Sequence, residues 1–207
     1  MTEDPELKSG DPLSTADSPS GEPQSPEPVR LPTVPLVPMP KLWIGYLLGL
    51  ATFAGEIIAI ARNPELLNVE ESLKDAIFGV PPLEVFLPMF ISYVFWLVCI
   101  YRYHKILAAI PNYQHPVSPA KAVGFHFIPF FWLVWLFIWP SKIADFANAR
   151  FKVPLMRGWI FGVGTLGAML CQVFLDPGLG VALLFVTMSY IGGFLARALS
   201  ISQRLEE

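Results

Sequence analysis

The chain has 207 residues, a formal net charge of −3 and a mean hydropathy of +0.51, with 54% hydrophobic and 15% charged residues. Soluble domains carry roughly a quarter charged residues, so this composition excludes water as the solvent for most of the polypeptide. Seven acids in residues 1–40 (Glu3, Asp4, Glu6, Asp11, Asp17, Glu22, Glu27) against Lys8 and Arg30 put −5 there and leave +2 elsewhere, which supplies no basic surface for a phosphate backbone and excludes nucleic acid as an expected partner.

Residues 1–40 hold ten prolines with many serines and acids. Such a segment buries too little apolar surface to offset chain entropy and is expected to be disordered, with Leu31–Pro40 an extended polyproline II spacer. The chain does not open with a basic region, an apolar run and a small-residue cleavage site, so the first span is expected to do its own targeting.

Residues 41–207 form the second expected unit. A hydrocarbon core of about 30 Å needs about 20 apolar helical residues. Leu42–Ala61, Leu83–Tyr103, Ala120–Trp139, Gly158–Leu175 and Gly178–Ala196 each come close. The expected fold is therefore all-α, a polytopic transmembrane helical bundle of about five spans.

Span one ends at Arg62-Asn63-Pro64, and Leu67–Phe78 then has the pattern of a short amphipathic helix lying on the interface. Span two leaves through Tyr101-Arg102-Tyr103-His104-Lys105, an aromatic and basic boundary. Pro111–Pro119 is a polar connection, and span three carries Pro129, expected to kink it. In the alternative topology the Pro129 stretch is re-entrant, leaving four spans and both termini on one side. Beyond Trp139-Pro140, Ile143, Ala144, Phe146, Ala147 and Phe151 predict a second interfacial helix. Asp176-Pro177-Gly178 is a tight turn between spans four and five, making them an antiparallel hairpin.

With five spans, five basic residues (Arg30, Lys41, Arg102, Lys105, Lys121) fall on the N-terminal side and eight (Arg62, Lys74, Lys142, Arg150, Lys152, Arg157, Arg197, Arg204) on the other. The positive-inside rule then predicts an external N-terminus and a cytoplasmic C-terminus, in a bacterial plasma or internal membrane.

The least generic block is Ser118-Pro119, Ala122-Val123-Gly124, Phe127-Ile128-Pro129-Phe130 and Trp135, continuing to Asn148. Over about Tyr101–Asn148 it resembles an uncharacterised family of bacterial multi-span membrane proteins, a domain of unknown function. Members often carry Asn shortly after the Pro-Phe pair, where this chain has Phe131-Trp132. The resemblance implies a membrane protein of bacterial origin and no particular reaction.

Glu56 is the candidate intramembrane site, because an ionised carboxylate inside the bilayer costs several kcal/mol unless paired. Gly45, Gly49, Thr52, Glu56, Ala59 and Asn63 recur every three or four residues and form one small and polar face that must meet protein or water. Ser92, Tyr93, Thr165, Ser189 and Tyr190 count to a similar depth, with Arg197 able to reach inward, and Glu56 is expected to accept bonds from some of them. Cys99, His126 and Cys171 share another depth, but without short ligand spacing they predict neither a metal nor a cofactor site. Glu56 and His126 count to about 12 Å apart along the membrane normal, which argues against an acid–base dyad. Gly158-x-x-x-Gly162 and Ser189-x-x-x-Gly193 are expected to pack helices, either within the hairpin or between copies of the chain.

These readings predict a non-enzymatic interaction, assembly or accessory component whose partners are the bilayer and other membrane proteins or itself. The alternative is a small transporter or channel with a polar site around Glu56 and the Pro129 kink.

Overall fold

The computed structural model describes residues 37–67, 81–110, 113–150 and 156–204. The expected tail up to residue 36 and the expected interfacial helix past residue 67 lie outside them. The described residues are all-helical, as expected. Six α-helices follow in order: α1 Trp43–Arg62, α2 Leu83–Ala108, α3 Pro119–Gly124, α4 Phe131–Arg150, α5 Gly158–Phe174 and α6 Pro177–Arg204. Single 3-10 turns follow α1 (Pro64–Leu67) and α3 (Phe125–Phe127).

Among the described residues three helices are long and apolar enough to cross a bilayer: α1, α2 and the Pro177–Ser200 part of α6. The apolar α5 is shorter, at 17 residues. Packing in α1 is inverted relative to a water-soluble helix. Its buried residues are Gly45, Gly49, Thr52, Gly55 and Ala59, while Leu47, Leu50, Phe53, Ile57 and Ile58 face outward. Small residues let backbones approach, and the bulk is left for a nonpolar surrounding.

Contacts along the helices fix their directions. Gly45 meets the Phe185 ring, Gly49 the Ala182 backbone, and Gly178 meets Phe53, so α1 and α6 run antiparallel. Gly55 sits against the Glu84 carbonyl and Arg62 pairs with Glu84, which sets α2 antiparallel to α1. Phe95 packs on Phe185 and Tyr103 Oη donates to the Met188 carbonyl at 2.9 Å, so α2 and α6 run parallel. The entry of α1 and the exit of α6 therefore lie at one end of the bundle, called the first end below; Arg62, Glu84 and Asp176 mark the second.

The third expected span is not one. Ser118 Oγ accepts the Lys121 amide and Pro119 occupies the first turn, starting α3 as the Ser-Pro sequence directs. The chain then turns back at Ile128–Phe130, with Phe130 at φ 61°. Trp135 Nε1 donates to the Ala122 carbonyl at 2.8 Å, and Phe125 packs edge-on against Phe131 and Trp135. Pro129 thus belongs to the turn of a helical hairpin rather than to a kink. This is the re-entrant arrangement, and it places both ends of the helical unit together.

The second expected interfacial helix is also absent as a separate element. Helix α4 continues through Pro140 to Arg150, and Ile143, Ala144, Phe146 and Ala147 are buried. Ser141 Oγ donates to the Phe137 carbonyl in the turn the proline disturbs. Asn148 pins the return to α5 twice, donating to the Met156 carbonyl at 2.6 Å and accepting its amide at 2.9 Å.

Gly158 and Gly162 pack α5 against Ser141 and Phe137 of α4, so they do not close the hairpin with α6. Gly164 against Thr187 and Gly180 against the Gln172 backbone do that.

A Cβ on Gly55 would overlap the Glu84 carbonyl, whereas one on Gly193 meets nothing within 4 Å. Gly55→Ala is expected to destabilise the bundle by about 1–3 kcal/mol through overpacking. Gly193→Ala is expected to be neutral or stabilising by up to about 1 kcal/mol through helix propensity. Thermal melts in detergent read the difference, and equal melts would contradict the packing.

Candidate functional site

The expected polar residues divide between the two ends of the bundle. Glu56 Oε1 accepts the Gly178 amide at 2.8 Å, and Asp176 Oδ1 accepts the Leu179 amide at 2.6 Å. Both carboxylates therefore sit on the first turn of α6, where amides lack intrahelical partners and the helix dipole favours negative charge. Glu56 bonds to this backbone group rather than to Ser92, Tyr93, Thr165, Ser189, Tyr190 or Arg197. Arg197 stands 19 residues beyond Gly178 on the same helix, about 28 Å at 1.5 Å per residue. Thr52 is buried and donates to its own helix at the Leu48 carbonyl. Asn63 ends α1, its side-chain oxygen accepting the Glu65 amide. Ser189 binds the Phe185 carbonyl and the Tyr46 hydroxyl, while Gly193 faces open space.

Sequence reasoning missed what lies near the first end. His104 of α2 and His115 of the following connection share a hydrogen bond, Nδ1 to Nε2 at 2.6 Å. His104 also packs edge-on against Trp139, Trp139 against Trp96, and Trp96 against His126, with ring centroids 6.3, 6.4 and 4.9 Å apart. All three histidines of the chain thus join one run of touching rings drawn from α2, the re-entrant hairpin and the connection between them. His126, expected at a depth shared with Cys99 and Cys171, is engaged here instead. The cysteines are buried free thiols, and no group of three or more metal-ligating side chains converges among the described residues.

Hydrogen-bond inventory gives the run its chemistry. His104 Nε2, His115 Nδ1 and the indole nitrogens of Trp96 and Trp139 are buried without a hydrogen-bond partner among the described residues, while the His126 ring is turned toward the backbone of Ala122 and Val123. A neutral imidazole has one N–H and one bare nitrogen. Whichever of His104 and His115 donates to the other, the pair retains one free donor and one free acceptor. The two indoles add two donors and His126, its N–H turned to that backbone, adds one acceptor, for three donors and two acceptors that water or a polar group could satisfy. The imidazole pair can also pass a proton, because each ring can release one nitrogen's proton as the other nitrogen gains one.

The only sequence signal for this cluster was three histidines within 23 positions, which the expected topology put at the exit of span two, in the polar connection and inside span three. Neither a family model, a curated protein nor a solved structure matches the chain.

Removing the Glu56 carboxylate strands the Gly178 amide, so Glu56→Ala is expected to lose about 1–3 kcal/mol. Glu56→Gln keeps an acceptor oxygen and is expected to melt close to the parent. Equal losses would show that charge rather than hydrogen bonding holds α6 there.

Burial pushes His115 down from 6.5 to about 4. The unfolded imidazole binds its proton first as pH falls, so the seating of the connection is complete above about 6.5 and is lost progressively toward about 4. Amide exchange at 113–118 is expected to accelerate over that window and to become pH-flat, after correction for intrinsic rates, in His115→Gln. Protection unchanged from pH 7 to pH 4 would count against a neutral, buried His115.

Proposed function

We propose that the chain is an integral membrane protein acting as a non-enzymatic interaction or assembly component, of the bacterial type its central segment resembles. One observation carries this reading: Glu56 caps the backbone of α6, so the intramembrane carboxylate is used in holding helices together. Thr52 and Asn63 serve helix α1 itself, and Arg197 lies far along α6 from Glu56. A bundle in which Glu56, Thr52 and Asn63 serve its own backbone, and whose outer face carries Leu47, Leu50, Phe90, Phe130 and Tyr190, offers surface rather than a pathway at Glu56.

Charge placement supports an orientation in which both ends of the helical unit face the cytoplasm. Lys41, Arg102, Lys105, Lys121, Lys142, Arg157 and Arg197 belong to the first end, and Arg62 to the second, among residues whose side chains are described. Glu56, Glu65, Glu84 and Asp176 gather at the second. The earlier expectation of an external N-terminus assumed five crossings, and the re-entrant hairpin changes their parity. Positive-inside counting then favours a cytoplasmic first end.

The buried ring run favours a second reading, a small transporter or channel, centred on His104, His115 and His126 rather than on Glu56 and Pro129.

Alkaline carbonate is expected to leave the protein in the membrane pellet, and affinity purification from native membranes to recover a stoichiometric membrane partner. Release into the supernatant would sink the membrane reading. Absence of a partner, together with proton flux in proteoliposomes that falls tenfold or more in His104→Ala, would replace the first function with the second.

A further inference from the structure

On the outward face of the α5–α6 hairpin, remote from Glu56 and apart from the histidines, runs an apolar groove of about 530 Å³. Gly164 opens its floor, and Ile160, Phe161, Val186 and Phe194 form its walls. Past Tyr190 and Phe194 it continues into a second depression of about 290 Å³ bordered by Gly193 and Arg197. Arg157 borders the larger part. The volume lies in the range of small-ligand sites, but the groove is open along its length and its lining is almost wholly apolar.

Two arginines share one end of it. The rings of Phe161 and Phe194 meet at 6.3 Å and set the register of the two helices. Arg157 precedes Phe161 by four residues and Arg197 follows Phe194 by three, so both stand about 5–6 Å beyond the same ring pair toward the first end. Both are exposed, and neither has an ion-pair partner among the described residues. Two like charges flanking one groove repel each other and are jointly favoured by an anion placed between them. An apolar trough leading to a pair of cations at the interface matches one kind of molecule, with a long hydrocarbon chain and an anionic head.

We propose that this groove binds an anionic phospholipid, with an acyl chain along the Gly164–Gly193 floor and the phosphodiester between Arg157 and Arg197. The proposal rests on the membrane reading above. Gly193 faces open space, so a side chain placed there would enter the trough. The arginines are at the end assigned to the cytoplasm, whose leaflet carries anionic lipid.

The test uses the purified full chain in detergent, titrated with palmitoyl-oleoyl phosphatidylglycerol or phosphatidylcholine and read by native mass spectrometry, with carbonate extraction of the source membranes in parallel. Phosphatidylglycerol is expected to bind about tenfold or more tighter than phosphatidylcholine. Arg157→Gln with Arg197→Gln is expected to erase that preference at unchanged melting temperature. Gly193→Leu is expected to weaken both lipids, and millimolar inorganic phosphate to displace neither. A preference that survives in the double variant, equal binding of the two lipids by the parent, or displacement by phosphate alone would overturn the proposal. So would a lipid-free dimer that Gly193→Leu dissolves, since a second copy would then be the occupant. Should these failures occur with the protein in the carbonate pellet, only this inference falls; release into the supernatant removes the membrane reading with it.

Discussion

Close backbone approach along the small-residue face of α1 is the constraint on which the rest of the structure depends. Gly45, Gly49 and Gly55 bring α1 against Phe185, the Ala182 backbone and the Glu84 carbonyl, so one helix fixes both α2 and α6. Among apolar surroundings helices gain little by hiding leucine from lipid, and association must come from packing and from hydrogen bonds that a closer backbone permits. Glu56 illustrates the second term. Its carboxylate reaches the Gly178 amide across helices because Gly49 and Gly178 leave room for the two backbones to converge. The large side chains displaced to the other face of α1 are the necessary complement of that approach.

The elements legible in the sequence were those written in hydropathy and in turn residues. Four of the five apolar runs are single helices, the α5–α6 turn falls at Asp176-Pro177, and in the expected stripe Gly45, Gly49, Thr52 and Ala59 are buried, Glu56 is half-buried and Asn63 is exposed. What failed was inference from proline. Pro129 and Pro140 lie in similar apolar aromatic settings, yet the chain reverses at the first and the helix runs on through the second. Local sequence does not decide between these outcomes, because a proline removes the same amide in both. The Trp135 bond to Ala122 and the aromatic contacts around Phe125 hold the reversal, and they join residues on opposite sides of the turn that no helical spacing pairs. Phe130 adds a conformation unusual for a non-glycine residue, one of the strained positions a tertiary context must hold in place. The histidine run was illegible for a related reason: His115 gains its role only when the connection folds back onto α2.

One reversal therefore changes more than one element. A crossing would have sent α4 to the far side and inverted every later helix, which is the geometry behind the five-against-eight division of basic residues. With the hairpin folded back, Arg157 and Arg197 share an end with Lys41 and Arg102, and the second end is left acidic. The electrostatic polarity of the bundle is thus a consequence of the turn at Ile128–Phe130, not an independent feature of the composition.

The two polar assemblies at the first end differ in what they ask of their surroundings. In the ring run, every unpartnered group is an N–H or a bare ring nitrogen enclosed by aromatic faces. Leaving such a group without any partner costs about 1–3 kcal/mol, so the run is where the bundle has most to gain from a bound water or other polar group. Arg157 and Arg197 are exposed and incur no such penalty, because an exposed guanidinium group stays solvated. Binding at the arginines would leave the fold as it is, whereas filling the ring run would complete hydrogen bonds that the fold leaves open. The arginines belong to the α5–α6 hairpin and the histidines to α2 and the segment after it, so protonating His115 would loosen the connection at 113–118 and leave the groove between α5 and α6 in place.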